Sequence, residues 1–144
     1  MAIENFIYFN GNCRQAVEFY AEVFGLDTPQ FMICGDAPGI TDFVGTDEDK
    51  QKGLIMYAGL KIKGSTVMFA DAPNNKKVQM DSNVCLTINC ETIDETHEIF
   101  DKLKAGGKVN IDLQEVFFSK CLGSLTDKFG LNWFVVYYPE AQNK

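Results

Sequence analysis

Apolar residues in this chain follow two rhythms, and the alternation between them divides it into two halves of the same order. "NFIYF" (5–9) reads as a strand. From residue 13 the period lengthens. Cys13, Ala16, Val17, Tyr20, Val23 and Phe24 recur at helical spacing, and Gly25 fits the stop. Asn12, with Gln15 three residues on, has the pattern of a capping box. "PQFMICGD" (29–36) reads as a strand, and "APGITDFVGTDEDKQK" (37–52) as a polar, turn-rich loop. "GLIMYAGLKIKGSTVMFADAP" (53–73) reads as a hairpin turning at Gly64-Ser65.

The second half repeats this sequence of elements. "NVCLTINC" (83–90) is a strand with Val84, Leu86 and Ile88 on one face. Thr92 caps a helix with Glu95 three residues later; Ile93, Thr96, Phe100 and Leu103 form its inner stripe, and Gly106-Gly107 ends it. Three further strands are expected in "KVNIDLQEVFF", "SKCLGSLTD" and "LNWFVVYY". The caps stand in register, since 92 − 12 and 95 − 15 are both 80, and the same offset carries Phe19 and Tyr20 onto Ile99 and Phe100. The expected fold is α+β: tandem βαβββ modules of about 1–75 and 80–140 in one domain over 1–144. Each sheet is mixed, its helix packs outside, and the other faces line a shared cleft. If Ile7 and Phe9 meet the first helix, Phe6 and Tyr8 point into that cleft. If Val84, Leu86 and Ile88 meet the second, Cys85 and Thr87 do.

Composition narrows the function classes. A net charge of -7 and a pI near 4.6 argue against nucleic acid, which needs clustered Lys and Arg. No apolar run approaches the roughly 20 residues that span a bilayer, and the start lacks a basic segment followed by an apolar one. A cytoplasmic protein without membrane partners is expected. Five cysteines, odd in number and without a Cys-x-x-Cys pair, suit reduced thiols. "TDKFG" resembles a kinase metal-binding turn, but Lys128 separates the Asp from the Phe, and no glycine-rich phosphate loop accompanies it.

"YFNGNCRQAVEFYAEVFG", "GSTVMFADAP" and "LGSLTDKFGLNWFVV" resemble the PhnB-like family of the vicinal oxygen chelate superfamily, with glyoxalase I, extradiol dioxygenases and bleomycin-resistance proteins. The resemblance spans nearly the whole chain and implies the tandem βαβββ fold and a homodimer. Metal-using members hold one divalent ion through His, Glu or Gln. The corresponding positions here are Glu4 or Asn5, Asn83, and Phe134 or Val135. Tyr57 and Lys120 stand where several PhnB-like proteins have His, or Asp or His. No cofactor is therefore expected; a divalent metal held by atypical ligands is the alternative. Some members carry a label as a ubiquinone-pathway methyltransferase, yet no glycine-rich strand-to-helix loop for a nucleoside cofactor is present.

Candidate ligand-binding residues are Tyr8, Tyr57, Cys85, Glu115, Phe117, Lys120 and Trp133. Tyr57 is either a hydrogen-bond donor or an aromatic wall. Glu115, among apolar neighbours, is either an acid or base or a solvated edge residue. Lys120 holds an anion, pairs with Glu115, or faces solvent. Phe117, Phe118 and Trp133 are apolar lining, core or dimer contact. His97, the only histidine, reads as a half-exposed helical residue away from the cleft, and Cys121 as a quiet thiol with no His nearby in sequence. No catalytic residue is assigned. The expected function is binding of a small organic molecule. The alternative is a lyase, isomerase or dioxygenase-type enzyme, metal-dependent or with Glu115 and Tyr57 as acid and base; a third possibility is a dimeric scaffold.

Overall fold

The structure, a computed structural model, describes residues 3–81 and 83–138. The chain forms two compact units, dividing after Gln79. The first contains β1 (Asn5–Phe9), α1 (Cys13–Val23), β2 (Met32–Ile33), α2 (Thr41–Val44), α3 (Asp47–Gln51), β3 (Ile55–Ile62) and β4 (Ser65–Asp71). The second contains β5 (Leu86–Cys90), α4 (Ile93–Lys104), β6 (Lys108–Val116), β7 (Ser119–Thr126) and β8 (Asn132–Tyr137). Each builds a four-stranded sheet, ordered β1-β4-β3-β2 in one and β5-β8-β7-β6 in the other. The first strand of each is parallel to the last, and the remaining pairs are antiparallel. The repeated βαβββ order of the sequence pattern is the fold.

In the first unit α1 buries Cys13, Ala16, Val17 and Tyr20. Tyr20 stacks on Phe69 at 5.7 Å, and Phe69 on Phe9 at 6.3 Å. The helix start differs from expectation. The Asn12 side chain makes no capping bond. The buried carboxylate of Asp71, at the end of β4, takes its place. Oδ1 accepts from the backbone N–H of Gly11 and Cys13, and Oδ2 from that of Ile55, each at 2.9 Å. A full negative charge at the positive end of the helix is a better acceptor than an amide, and it ties three chain segments together.

The segment expected to be a loop contains two short helices. Thr46 caps α3: its hydroxyl accepts from the Asp49 N–H at 3.1 Å, and Asp49 Oδ2 accepts from the Thr46 N–H at 2.8 Å. Cys34, Val44 and Met56 form a small core beneath, packed by Ala37 and Leu54. The strand expected over 29–36 shrinks to β2. The β3–β4 turn falls on Lys63-Gly64, with φ of 49° and 86°, the two positive values a type I′ hairpin requires. Ser65 already pairs with Ile62.

In the second unit the Thr92 hydroxyl accepts from the Glu95 N–H at 3.0 Å, as the cap predicts. Thr96, Ile99, Phe100 and Leu103 are buried. Ile93, expected in the stripe, lies in the first turn and is 39% exposed; Ile99 fills the apolar face instead. β5 starts at Leu86, so Val84, expected against the helix, is 65% exposed. Val84 and Asp81 offer their carbonyls to the Asn132 amide, at 3.3 and 2.9 Å, which holds this approach outside the ladder. Among the described residues no helix is long and apolar enough to cross a membrane.

Candidate functional site

Strand register decides which face of each sheet is open. In the first unit Ile7, Phe69 and Ala58 lie side by side on the face that carries α1. Phe6, Met68 and Gly59 therefore project to the opposite face, together with Tyr8 and Tyr57. There Phe6 stacks on Tyr8 with ring centroids 5.0 Å apart, and meets Tyr57 edge-on at 6.3 Å. Phe43, from α2, closes on Phe6 at 6.5 Å. Phe6, Tyr8 and Tyr57 are half-buried, and Phe43 is exposed.

Gly59 has a specific task on this face. A Cβ there would lie 2.9 Å from Tyr57 Oη, so only glycine lets the phenol lie flat along the strand. The expected site residues Tyr8 and Tyr57 are thus brought together by Phe6, whose direction strand parity gives. Phe43 had no signal, because it sits in a helix of four residues within a turn-rich stretch. Arg14 lies over Phe31, Lys104 over Phe100 and Lys128 over Phe129. Among the described residues no cation lies over Phe6, Tyr8, Phe43 or Tyr57.

In the second unit Glu115, Phe117 and Lys120 come together at the β6–β7 hairpin, where they line a recess of about 470 Å³ with Phe118, Ser119 and Tyr137. All three are exposed. Glu115 therefore lacks the burial on which an acid or base reading rests. Cys85 is exposed, ahead of β5.

Trp133 is placed differently from expectation. It is 1% exposed and pairs with Leu125, on the side where Phe100 of α4 overlies Gly123. Its indole N–H donates to Asp127 Oδ2 at 2.8 Å, so it has no surface to offer a ligand.

His97 and Cys121, read separately from sequence, meet between α4 and β7 with Nε2 and Sγ 3.8 Å apart. Burial pushes the Cys121 thiol up, away from the thiolate. The same cause, with the charges of Asp49 and Asp71, pushes Cys34 up to about 11.

The positions corresponding to the superfamily's metal ligands carry few donor side chains. Glu4, Asn5 and Asn83 are exposed, and Phe134 and Val135 carry no ligating atom. Among the described residues no three His, Cys, Asp or Glu side chains converge. Of these positions only Glu4 carries an anionic side chain.

A family model described as 3-demethylubiquinone-9 3-methyltransferase matches residues 1–136. Protein PA1353 from Pseudomonas aeruginosa is 28% identical, with a TM-score of 0.80 over 96% of this chain and 98% of that one. A PhnB protein from Bacillus cereus is 25% identical, with a TM-score of 0.70 over 95% and 99%. A glyoxylase/bleomycin resistance protein/dioxygenase domain from Frankia sp. EAN1pec, at 10% identity, shares the fold with a TM-score of 0.58 over 94% of each chain.

Proposed function

The chain belongs to the family whose model bears that methyltransferase description, the PhnB-like group of the glyoxalase/bleomycin-resistance superfamily, and from this we propose that it binds a small organic molecule without a metal ion. The aromatic face of Phe6, Tyr8, Phe43 and Tyr57 carries this reading. Half-open π faces, over which no cation lies among the described residues, offer stacking and cation–π attraction to a flat or quaternary cation. The net charge of -7 favours the approach of such a ligand. The molecule acts as a homodimer in the cytoplasm.

Methyl transfer forms no part of the reading. The strand-to-helix turn after β1, where a nucleotide cofactor would seek backbone N–H groups, spends those of Gly11 and Cys13 on Asp71.

Isothermal titration with benzyltrimethylammonium, against neutral benzyl alcohol, tests the proposal. The expected result is binding of the cation at least tenfold tighter than the alcohol, lost in Phe6→Leu. Equal binding of the two rejects the preference for a cation and leaves an apolar site. Binding of neither, or binding untouched by Phe6→Leu, rejects the face itself.

A further inference from the structure

The β6–β7 hairpin presents a surface that a lone chain has little reason to keep. Phe117 is 99% exposed, and it meets Phe118 edge-on with centroids 5.0 Å apart. Phe118 in turn meets Tyr138 at 6.3 Å, and both are exposed. Three neighbouring aromatic rings in water are the composition of an interface centre rather than of an ordinary surface. Scattered apolar residues need no explanation, but a contiguous aromatic cluster at a hairpin tip does.

The charges beside the cluster identify the occupant. Glu115 on β6 and Lys120 on β7 line the same recess as Phe117 and Phe118, and neither forms an ion pair among the described residues. One patch thus carries an apolar centre with one acid and one base beside it. A surface of this kind is its own complement. About a two-fold axis, every contact of residue i with residue j of the other copy occurs twice. Glu115 of each copy can then meet Lys120 of the other while the phenylalanines pack across the axis.

We infer that the Phe117–Phe118 hairpin tip is the contact surface of a symmetric dimer, with reciprocal Glu115–Lys120 pairs setting its register. The inference rests on the homodimer reading above and adds where the two copies meet. β6 does not extend its sheet through the axis, because three register irregularities along it against β7 spoil a continuous ladder. The contact is made by side chains.

Sedimentation equilibrium of the full chain and its variants tests it. Phe117→Ser is safe for the fold because the ring touches little of its own chain. Its expected effect is a dimer dissociation constant raised roughly tenfold or more. Glu115→Lys and Lys120→Glu should each give monomers, since each variant sets like charges opposite one another twice. Mixing the two variants should restore a dimer containing one of each, because both contacts then join opposite charges. A wild-type dimer that ignores Phe117→Ser and both reversals meets by another surface, which overturns the hairpin assignment but not dimerisation. A monomeric wild type overturns both and leaves the aromatic tip to a different partner. Reversals that act without rescue on mixing overturn the reciprocal pairing.

Discussion

Trp133 Nε1 donates a 2.8 Å hydrogen bond to Asp127 Oδ2, joining the start of β8 to the turn that precedes it. Asp127 Oδ1 accepts from the backbone N–H of Phe129 at 2.8 Å and of Leu131 at 3.1 Å. Gly130, at φ 93°, supplies the left-handed residue, and its N–H closes the turn on the Asp127 carbonyl at 3.0 Å. The Asp-Lys-Phe-Gly-x-x-Trp ending is therefore a structural clasp. Its buried carboxylate accepts from Phe129, Leu131 and Trp133, and its tryptophan is core.

Removing the charge of that carboxylate is expected to lower stability by about 3 kcal/mol, because Asp127→Asn turns an amide N–H₂ toward the N–H donors of Phe129, Leu131 or Trp133. Trp133→Phe keeps most of the apolar bulk but leaves Asp127 Oδ2 without its indole donor, and should cost roughly 1 to 3 kcal/mol. Chemical denaturation of both variants checks this. A loss under about half a kcal/mol in Asp127→Asn would make the clasp incidental.

Asp49 gives a prediction in pH. Burial alone raises its carboxyl. The hydrogen bonds from Thr46 and Asn74, with the nearby charge of Lys52, outweigh that and hold it below its ordinary value of 3.8. A depressed carboxyl adds stability that is complete above the ordinary value and disappears as pH falls through the lowered one. Asp49→Asn should thus be less stable than wild type by about 1 kcal/mol at neutral pH. The gap should stay level down to about pH 5 and shrink below about pH 4. Paired urea titrations along that range read it directly; a gap that grows toward acid would contradict the sign.

What could be read from the sequence was what is local. The helical stripes, the Thr92 cap and the glycine stops lie within a few residues of one another, so periodicity finds them. The Asp71 cap does not, since its carboxylate is 58 residues from the Cys13 N–H it binds. Nor does the pairing of His97 with Cys121, 24 residues apart on a helix and a strand. Trp133 stays open between lining, core and dimer contact in the sequence for another reason. β8 is apolar on both faces, and alternation cannot orient such a strand. Only its register against β7, with Phe100 overlying Gly123, shows that the ring faces α4. That Tyr8 shares a face with Phe6 was legible because strand parity needs only the spacing of neighbouring residues.

Gly123 invites an overpacking test. A Cβ there would lie 2.7 Å from Phe100 Cε1 and 2.9 Å from the Ile111 carbonyl oxygen. The ring can shift by rotating, but the β6 backbone cannot move without disturbing its ladder. Gly123→Val should destabilise by about 2 to 3 kcal/mol and loosen α4 on its sheet. Hydrogen exchange would show faster exchange in both α4 and β6. Loosening of α4 alone would mean that the Ile111 contact is harmless.

The last test separates packing from binding on the aromatic face. Gly59→Ala places a methyl group 2.9 Å from Tyr57 Oη, at the mobile end of a half-buried side chain, so the phenol should swing aside at little cost to the fold. Melting of the free protein is expected to change little, while affinity for benzyltrimethylammonium falls severalfold, because the ring no longer lies beside Phe6. Tyr57→Phe resolves what the residue contributes. If the ring face attracts the cation, this variant binds nearly as well as wild type, and Tyr57→Leu loses about 1 kcal/mol. If the hydroxyl carries the contact, Tyr57→Phe loses as much as Tyr57→Leu does. Equal destabilisation of the unliganded protein by Gly59→Ala and Tyr57→Leu, with affinity unchanged, would assign the ring to packing and move the search for the ligand to another face.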